Sequence, residues 1–528
     1  RSGLEVGTYT WNAGTGAFTS ALEVDTNGGW GLSGLTGSVT VAVDSTLQRI
    51  SFTDAVETGH FNLVEVSPII FTSQPTGGDF TEGGTLILSV SAQGQGNLTY
   101  QWRRNGEVLT SYPSSIVILT PLLASDAGVY DVIVTSSEGS RVSAPTTVTI
   151  PEIVATGRSI SNLSARTTVS DGQALFLPFR IEGSGDKSVL LRAVGPTLSS
   201  FGVTGSMADP RIRLVDDLGF PVASNDDWSS DASAISTASS TVGAFALETE
   251  SKDAALLTLL PPGNYVAIVE GPTGGTVLVE LYEVTSGTPT SRFVHTGILA
   301  GTGSGANQLV MGFVVPTPDQ HPLLIRGVGP GTGLAGTIAD PTFTVRNSSQ
   351  AIVNNNDSWS SVRGAVGFAE TAGAPPLVNA SLDAANRFIA PQGAFTMTVT
   401  GKNSESGLVM AEVYDLSNRS PSTTPVLLVP PMSQSKATGD SVRFEAYAAG
   451  AGPLSYQWLK DGNPLSGETS ATLLLTSIAA ADAGDYVLQI TNGQGTFAAE
   501  AATLAVEGGT VPTLNSQPGS ATVTSAGS

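Results

Sequence analysis

The chain has 528 residues, and its 45 acidic against 23 basic side chains give a formal net charge of −22. Such a surface repels phosphate backbones and anionic membranes, which excludes the usual nucleic-acid-binding and basic membrane-binding classes. Cysteine is absent, so disulfides, cysteine-zinc sites and thiol catalysis are excluded. No apolar run reaches the ~18 residues of a membrane-spanning helix, so we expect no membrane insertion.

Short apolar runs recur along the whole chain, separated by turns rich in its 61 Gly and 30 Pro residues. This punctuation is typical of β-sandwiches rather than helical folds. The length predicts about three to five domains. We therefore predict an all-β protein of tandem antiparallel β-sandwiches.

Residues 1–66 alternate apolar and polar side chains, as in Val39–Val43 and Phe61–Val66. A period of two predicts strands with one buried face. We interpret this segment as a small antiparallel meander from a truncated domain.

Two later segments share one signature. Tyr100–Gly106 is matched by Tyr456–Gly462, and the D-A-G-x-Y of 126–130 recurs at 482–486 at the same separation. The pattern resembles the immunoglobulin-like fold and predicts such domains at 67–151 and 421–507. The resemblance implies a core Trp, a Tyr whose hydroxyl bonds to the backbone, and an Asp that accepts hydrogen bonds near a turn. These structural residues are Trp102, Asp126, Tyr130, Trp458, Asp482 and Tyr486.

The immunoglobulin-like signature departs from the disulfide-bonded form. Val132 and Leu488 occupy the place of the second cysteine, and Val90 and Ala446 are our candidates for the first. Apolar packing on the Trp must replace the bridge, which indicates a bacterial module. Residues 508–528 match the start of the first domain, and we interpret them as the beginning of an incomplete third one.

A second duplication lies between the immunoglobulin-like domains. Ser188–Pro196 is matched by Pro322–Pro330, and Asn225–Ser230 by Asn356–Ser361. We predict two β-sandwich repeats with jelly-roll-like topology, repeat A at 152–286 and repeat B at 287–420. Pro, Ser and Thr near the boundaries predict stiff joints that string the domains out.

The repeats resemble tandem surface repeats of large secreted proteins of Verrucomicrobia-like bacteria. They are also similar to the bacterial pre-peptidase C-terminal domain, a β-sandwich. The motifs that carry this second resemblance are the acidic turn at 225–227 and the L-P-P-G-x-Y at Leu260–Tyr265. Repeat B departs from the second motif, with Ala390–Phe395 in its place.

The acidic turns are the best metal candidates, because clustered hard oxygens suit Ca²⁺. The alternative is an Asx-rich turn that bonds to its own backbone. No other cofactor is expected. The candidate calcium ligands are Asn225, Asp226 and Asp227 in repeat A, with Asn356 and Asp357 in repeat B.

Trp228 and Trp359 follow these turns. An exposed Trp at this place would stack on a sugar ring of a polysaccharide, whereas a buried one would anchor the loop on the sandwich. We favour the anchor because the residue recurs in both repeats. We also expect Arg192 and Arg326 to pair with the Asp of the Ala-Asp-Pro motif in their own repeat.

Signals of enzyme activity are poor. The three histidines are scattered, no G-x-S-x-G is present, and the G-x-G-x-x-G at 331–336 precedes a Pro-broken strand instead of a helix. We therefore expect no enzyme but an extracellular structural or adhesive protein, a stalk, fibre or filament component of a bacterial surface. Its expected partners are other copies of itself or neighbouring domains. The alternative is a polysaccharide-binding accessory region of a large secreted polysaccharide-degrading enzyme.

Overall fold

The computed structural model describes residues 69–137, 139–151, 160–284, 290–378, 380–417, 424–450 and 453–507, and the backbone of five earlier strands. The predicted third domain at 508–528 lies outside these residues. The chain divides into two compact units, the first ending at Thr149 and the second comprising residues 80–85, 120–126 and everything from Ile150 onward. In the described residues no helix is long and apolar enough to cross a membrane.

The first unit begins with strands β1 to β5, of which β1 pairs with β2 and β3–β4–β5 form an antiparallel sheet. Their bounds are Glu5–Asn12, Ala17–Asp25, Thr40–Asp44, Arg49–Thr53 and Thr58–Asn62.

The first unit continues with the strands of the first immunoglobulin-like domain. One sheet has the order β11-β10-β13-β15-β7, with β14 paired to β13, and two-stranded sheets join β12 to β8 and β6 to β9. Trp102 on β10 lies opposite Val132 on β13, and both are fully buried. The strands are β6 (Ile70–Ser73), β7 (Gly78–Asp79), β8 (Leu86–Ser89), β9 (Ser91–Gln93), β10 (Thr99–Arg104), β11 (Glu107–Val108), β12 (Ile116–Leu119), β13 (Gly128–Ser136), β14 (Gly139–Val142) and β15 (Thr146–Thr149).

Repeat A opens the second unit with eight strands and one helix. They are β16 (Asn162–Val169), β17 (Leu175–Gly183), β18 (Lys187–Val194), β19 (Arg211–Asp216), β20 (Pro221–Asn225), α1 (Ala232–Val242), β21 (Ala254–Leu260), β22 (Gly263–Glu270) and β23 (Gly275–Glu283).

Repeat B has the same element order. Its elements are β24 (Ser291–Thr302), β25 (Leu309–Val315), β26 (His321–Val328), β27 (Pro341–Asn347), β28 (Ile352–Asn356), α2 (Ala365–Ala372), β29 (Ala384–Ala390), β30 (Gly393–Gly401) and β31 (Gly407–Asp415).

The two repeats share two continuous eight-stranded sheets. Sheet I has the order β21-β18-β23-β16-β25-β30-β27-β28, and sheet II has the order β20-β19-β22-β17-β24-β31-β26-β29. When the eight strands of each repeat are numbered along the chain, one sheet has the order 1-8-3-6 and the other has the order 2-7-4-5. This is the order of a jelly roll, a double sheet of two Greek keys.

The repeats join edge to edge through a pseudo-twofold relation. β16 of repeat A pairs with β25 of repeat B, and the corresponding pair, β17 with β24, forms in the other sheet. The self-complementary arrangement is that of an isologous dimer within one chain. A single core of inward-facing side chains runs through both halves, from Leu163 in repeat A to Val413 in repeat B.

This continuity differs from the predicted string of separate domains. A sandwich edge presents unpaired N–H and C=O groups. Each repeat satisfies those groups by pairing with the other, so the described strands from β16 to β31 form one sandwich. The Pro- and Thr-containing joint predicted between the repeats, at 285–289, lies outside the described residues.

The second immunoglobulin-like domain follows repeat B in the same unit. Its main sheet has the order β33-β41-β39-β36-β37, with β40 paired to β39, and β34 pairs with β38 and β32 with β35. The strands are β32 (Val426–Val429), β33 (Gln434–Ala437), β34 (Val442–Glu445), β35 (Tyr447–Ala449), β36 (Ser455–Lys460), β37 (Asn463–Pro464), β38 (Thr472–Leu475), β39 (Gly484–Asn492), β40 (Gly495–Ala498) and β41 (Ala502–Glu507).

This domain packs on the outer face of sheet II. Val426 and Tyr447 contribute to an apolar cluster with Phe176, Val266 and Ile268 of repeat A. Hydrogen bonds flank the cluster: the Leu427 amide donates to the Asp217 carbonyl at 3.1 Å and the Glu500 amide to the Leu218 carbonyl at 2.6 Å. The predicted spacing between repeat B and this domain is therefore also replaced by direct packing.

The duplication explains why this domain occupies one face and not its counterpart. Counted from Gly263 and Gly393, which begin β22 and β30, Val266 and Ile268 correspond to Thr396 and Thr398. Counted from the Ala-Asp-Pro motifs, Val215 corresponds to Arg346. Leu299 and Met410 of repeat B complete the same apolar cluster. At the compared positions the sheet II face is apolar where its counterpart carries Thr or Arg, so burial against another domain gains more free energy on the sheet II face.

The two immunoglobulin-like domains also differ in how apolar this surface is. Tyr447 and Ala449, which pack on sheet II, correspond to Ser91 and Gln93 in the first domain. Ser91 and Gln93 are exposed. Apolar side chains have therefore been retained on the two surfaces that meet in the second unit.

Replacing Trp458 with Ala should destabilise the second immunoglobulin-like domain by about 3–5 kcal/mol, because its indole is fully buried and truncation leaves a cavity. Urea unfolding measures this change. The matched control is Leu474→Ala in the same domain, where the side chain is 53% exposed and the change should stay within about 0.5 kcal/mol. Equal midpoints for the two variants would contradict the core role of Trp458.

Converting the docking face to its counterpart, with Val266→Thr and Ile268→Thr together, should weaken docking by about 2 kcal/mol. Hydrogen exchange of the Val426–Val429 amides should accelerate while amides around Trp458 stay protected. The control is Thr396→Val with Thr398→Val on the corresponding face, which should leave exchange in β32 unchanged. Unaltered β32 protection in the first variant would contradict the docking account.

Candidate functional site

The residues shared by the two repeats converge on one buried polar cluster in each. In repeat A, Arg192 on β18 lies directly opposite Glu280 on β23. Their side chains are 3.0 Å apart at the closest nitrogen and oxygen, and the Tyr282 hydroxyl donates to Glu280 at 2.6 Å. Arg192 also donates to the Phe245 carbonyl at 2.8 Å and lies over the Phe245 ring.

Repeat B reproduces this arrangement with two additions. Arg326 lies opposite Glu412, 3.5 Å away, and Tyr414 donates to Glu412 at 2.6 Å. His295 on β24 approaches Glu412 to 3.4 Å, and Arg326 reaches the Tyr447 hydroxyl at 3.4 Å. The second cluster thus contacts the docked immunoglobulin-like domain.

The predicted pairing of these arginines with the Asp of Ala-Asp-Pro is wrong. Antiparallel pairing of neighbouring strands places a Glu directly opposite each Arg. Asp340 instead lies 3.6 Å from Lys402 near the surface. The matching Glu-x-Tyr motifs at the ends of the repeats were visible in the sequence, but strand register was needed to connect them to the arginines.

Asp253 and Asp383 hold the Val-Gly-Pro turns, a role that sequence analysis missed. The Gly195 amide donates to Asp253 at 2.7 Å, and the Gly329 amide donates to Asp383 at 2.8 Å. A Cβ on Gly195 would lie only 2.1 Å from the Met207 carbonyl oxygen, so this turn requires glycine. The sequence Asp-Ala-Ala, which both repeats carry at 253–255 and 383–385, was the available signal.

The metal-candidate asparagines are engaged with the backbone. Asn225 at the edge of sheet II accepts from the Ala255 amide at the edge of sheet I at 2.9 Å and donates to the Asp227 carbonyl at 3.1 Å. Asn356 makes the corresponding bonds to Ala385 and Ser358, at 2.9 and 3.1 Å. Each asparagine therefore ties the outer edges of the two sheets together.

The edge in repeat B carries two further links of this kind. Asn354 donates to the Arg387 carbonyl at 2.9 Å, and Asn386 donates to the Asn355 carbonyl at 3.2 Å. Side-chain amides thus occupy backbone groups on both outermost strands. Such occupation hinders pairing of these edges with another chain.

The carboxylates of the same turns lie beside basic side chains instead of beside one another. Asp226 lies 3.8 Å from Arg211, Asp227 lies 2.9 Å from Lys252, and Asp357 lies 3.4 Å from Lys402. Within the described part of the chain, no three His, Asp or Glu side chains form a group able to hold a metal. The described contacts at these turns are those that the Asx-turn alternative expects, and Ca²⁺ binding stays a prediction.

Trp228 and Trp359 are loop anchors and not sugar platforms. Each is only 7% exposed. Their indole N–H groups donate to Ser251 and Ser381, each at 3.1 Å. Trp228 packs beside α1 on sheet I and Trp359 beside α2 on sheet II, at pseudo-equivalent places. Burial removes the ring faces that a polysaccharide would need.

The signature residues of the immunoglobulin-like domains have interior partners. The Trp102 indole donates to the Ser114 carbonyl at 2.8 Å, and Trp458 donates to Ser470 at 3.0 Å. Tyr130 and Tyr486 are buried.

The acidic residue of each signature accepts at its turn. Asp126 accepts from the Leu123 amide at 2.9 Å, and Asp482 accepts from the Ala479 amide at 2.8 Å. The Tyr486 hydroxyl donates to the Asp482 carbonyl at 2.7 Å. Burial, together with Asp482 and Asp461, raises the pKa of Tyr486 to about 12.

The pKa values of the two buried glutamates are shifted in opposite directions. Burial raises the pKa of Glu280 above its ordinary value, against the opposing effects of Arg192 and Tyr282. Burial also acts upward on Glu412, but Arg326, His295 and Tyr414 outweigh it and hold the pKa of Glu412 below the ordinary value. The extra His295 distinguishes the two clusters.

When each glutamate is replaced with Gln, the stability of the variant relative to wild type should therefore change with pH in opposite directions. A lowered folded-state pKa means that Glu412 stabilises the fold at neutral pH and that this stabilisation is lost as pH falls through that pKa. The deficit of Glu412→Gln should shrink from neutral pH to about pH 4. A raised pKa means that wild type gains stability as pH falls through the pKa of Glu280, so the relative stability of Glu280→Gln should fall on acidification. Urea unfolding at both pH values checks this, and parallel shifts for the two variants would contradict it.

Comparison with known proteins identifies one of these domains. Residues 424–492 match the family model of the immunoglobulin domain. The decoration protein of Escherichia phage T5 is 35% identical over 74 residues, covering 12% of this chain and 45% of the phage protein. The chain therefore matches less than half the length of that relative.

Solved immunoglobulin structures are also similar. Titin domain M3 is 29% identical, with 16% of this chain and 96% of that chain covered and a TM-score of 0.15. The four-domain structure of Sidekick-1 is 15% identical, with 84% and 99% covered and a TM-score of 0.16. The family match at residues 424–492 and the strand order of the sheets support an immunoglobulin-like sandwich within an all-β chain.

Proposed function

We propose that this chain is a non-catalytic structural or adhesive component of a bacterial surface, part of a stalk, fibre or filament outside the cell. One observation carries the proposal: the described residues duplicated between the two repeats serve the interior of the sandwich. Arg192, Glu280 and Asp253 form buried networks, and Asn225 and Trp228 fasten an edge and a loop. The residues common to the two repeats therefore have structural roles.

The mechanical arrangement of the second unit supports this role. Edge pairing merges two jelly rolls into one body, and the apolar cluster around Tyr447 couples the following domain to it. A chain built this way transmits force through sheets and packed interfaces instead of through loose linkers. The similarity of part of this chain to the decoration protein of Escherichia phage T5, and the immunoglobulin domain at residues 424–492, support a surface role.

Neighbouring domains of a longer protein, or other copies of the chain, are the partners we propose. The low charged fraction of 13% and the net charge of −22 suit a soluble surface exposed to an extracellular medium. We also propose that the central repeats are related to pre-peptidase C-terminal sandwiches. The same proposal includes an origin in Verrucomicrobia-like bacteria. The polysaccharide-binding alternative has lost its main support, because Trp228 and Trp359 are buried.

Immunogold electron microscopy tests the proposed location and role. Antibodies raised against the purified chain should label the outside of intact cells of the source bacterium, on the envelope or on projecting fibres. Cells lacking the gene are the control. Label confined to the cytoplasm of sectioned cells would overturn the proposal.

A further inference from the structure

An ammonium and a carboxylate meet inside the core of repeat A. Lys187 begins β18 and Glu283 ends β23, the neighbouring strand of sheet I. The Lys187 Nζ donates to Glu283 Oε1, and both side chains are 0% exposed. Val189 lies directly opposite Glu283 and points into the shared core, as does Leu281. The pair therefore lies between the sheets and not at their surface.

The surroundings of this pair are unfavourable to charge. The Phe293 ring centroid lies 5.6 Å from Lys187 Nζ, and Phe293 itself is fully buried in the core cluster. Lysine and glutamate are almost never fully buried unless they are paired, and even a buried pair loses hydration free energy that its mutual attraction need not restore.

The fold does not require this pair. In repeat B the corresponding positions hold His321 at the start of β26 and Asp415 at the end of β31. Asp415 there lies 3.2 Å from the Arg292 guanidinium. At these equivalent positions, an amine and a carboxyl group are brought together in repeat A and not in repeat B.

We infer that Lys187 and Glu283 condense into an intramolecular amide cross-link. Transfer of one proton along the hydrogen bond converts the ion pair into a neutral amine and a carboxylic acid. Nζ then attacks Cδ of Glu283 and the new C–N bond forms. One amine proton passes to the hydroxyl, and the C–O bond breaks with release of water. The balance is one ammonium and one carboxylate giving one amide and one water, without oxidant, metal or cofactor.

Proximity lowers the kinetic barrier to this condensation. Groups held rigidly in contact react with effective molarities of about 10⁵–10⁸ M, because the entropy of bringing them together has already been lost on folding. The product also replaces two buried charges with one neutral amide. Asp415 has no comparable route, because its neighbour Arg292 offers a guanidinium, which stays protonated and is a poor nucleophile.

The cross-link would act on the folding of repeat A as a disulfide does elsewhere. It would close a loop between residues 96 positions apart, containing α1 and the Trp228 anchor. Such closure reduces the freedom of the unfolded chain. The chain contains no cysteine with which to obtain the same constraint. This inference does not depend on the proposed surface function.

Intact mass spectrometry of the denatured, purified full chain tests the inference. We expect a mass lower than the sequence mass by one water, and a digest that contains one branched peptide joining Lys187 to Glu283. Lys187→Met should restore the full sequence mass. The matched control is Lys252→Met, which removes the exposed partner of Asp227 and should keep the loss of water.

Three results would overturn the inference: wild type at the full sequence mass, a water loss that persists in Lys187→Met, or fragmentation that places the loss on another residue. The wild-type digest decides the matter even if Lys187→Met fails to fold. Glu283→Leu provides a second variant that lacks the carboxyl group and should also show the full sequence mass. Surface labelling by antibodies is read separately, so failure here leaves the proposed function to its own test.

Discussion

Backbone hydrogen bonding at the edges of the jelly rolls is the constraint on which the second unit depends. Each repeat would expose the edges of β16 and β17, or of β24 and β25, if it stood alone. Pairing β16 with β25 and β17 with β24 satisfies both edges at once and aligns the inward-facing residues of the two halves into one core. The outer edges are treated differently, with the side chains of Asn225 and Asn356 bonded to the opposite sheet. The molecule thus pairs its inner edges internally and blocks its outer ones.

Sequence differences between the two repeats then determine which face of the sandwich packs against the second immunoglobulin-like domain. The apolar face around Ile268 accepts the second immunoglobulin-like domain, whereas the corresponding face carries Thr398. The buried clusters diverged as well, since only Glu412 has a histidine neighbour and only Arg326 reaches the docked domain. These differences make one pseudo-symmetric body present two chemically distinct faces. A structural role accounts for this pattern, because the shared residues hold the fold and the divergent ones define its neighbours.

Much of the fold could be predicted from local sequence. Period-two alternation indicated the strands, and Trp458 with its Tyr486 partner motif indicated the immunoglobulin-like domain that the family match supports. Internal repetition located the two jelly rolls, and it correctly favoured buried anchors over sugar platforms for Trp228 and Trp359. Pairing between the repeats could not be predicted, because edge strands carry no local signal that says which other edge they will meet.

Candidate site residues were harder to interpret for the same reason. Clustered Asn and Asp in a turn suit a cation or a backbone network equally well, and only the position of Ala255 on the facing sheet distinguishes them. The arginine partners were misassigned because sequence proximity favoured Asp209, whereas register places Glu280 opposite Arg192. In each case the deciding contact joins strands distant in the sequence.

Cysteine cross-linking tests the central claim of a single continuous sandwich most directly, because the natural chain contains no cysteine to interfere. Arg166 and Val310 lie directly opposite each other where β16 meets β25. In the Arg166→Cys, Val310→Cys variant, mild oxidation should form a disulfide within the monomer, since facing residues in antiparallel strands bring their Cβ atoms to about 4.5–5.5 Å. The Arg166→Cys, Val314→Cys variant, displaced along the same strand, should remain reduced. Failure of the first pair to cross-link, or equal cross-linking of both pairs, would contradict the account.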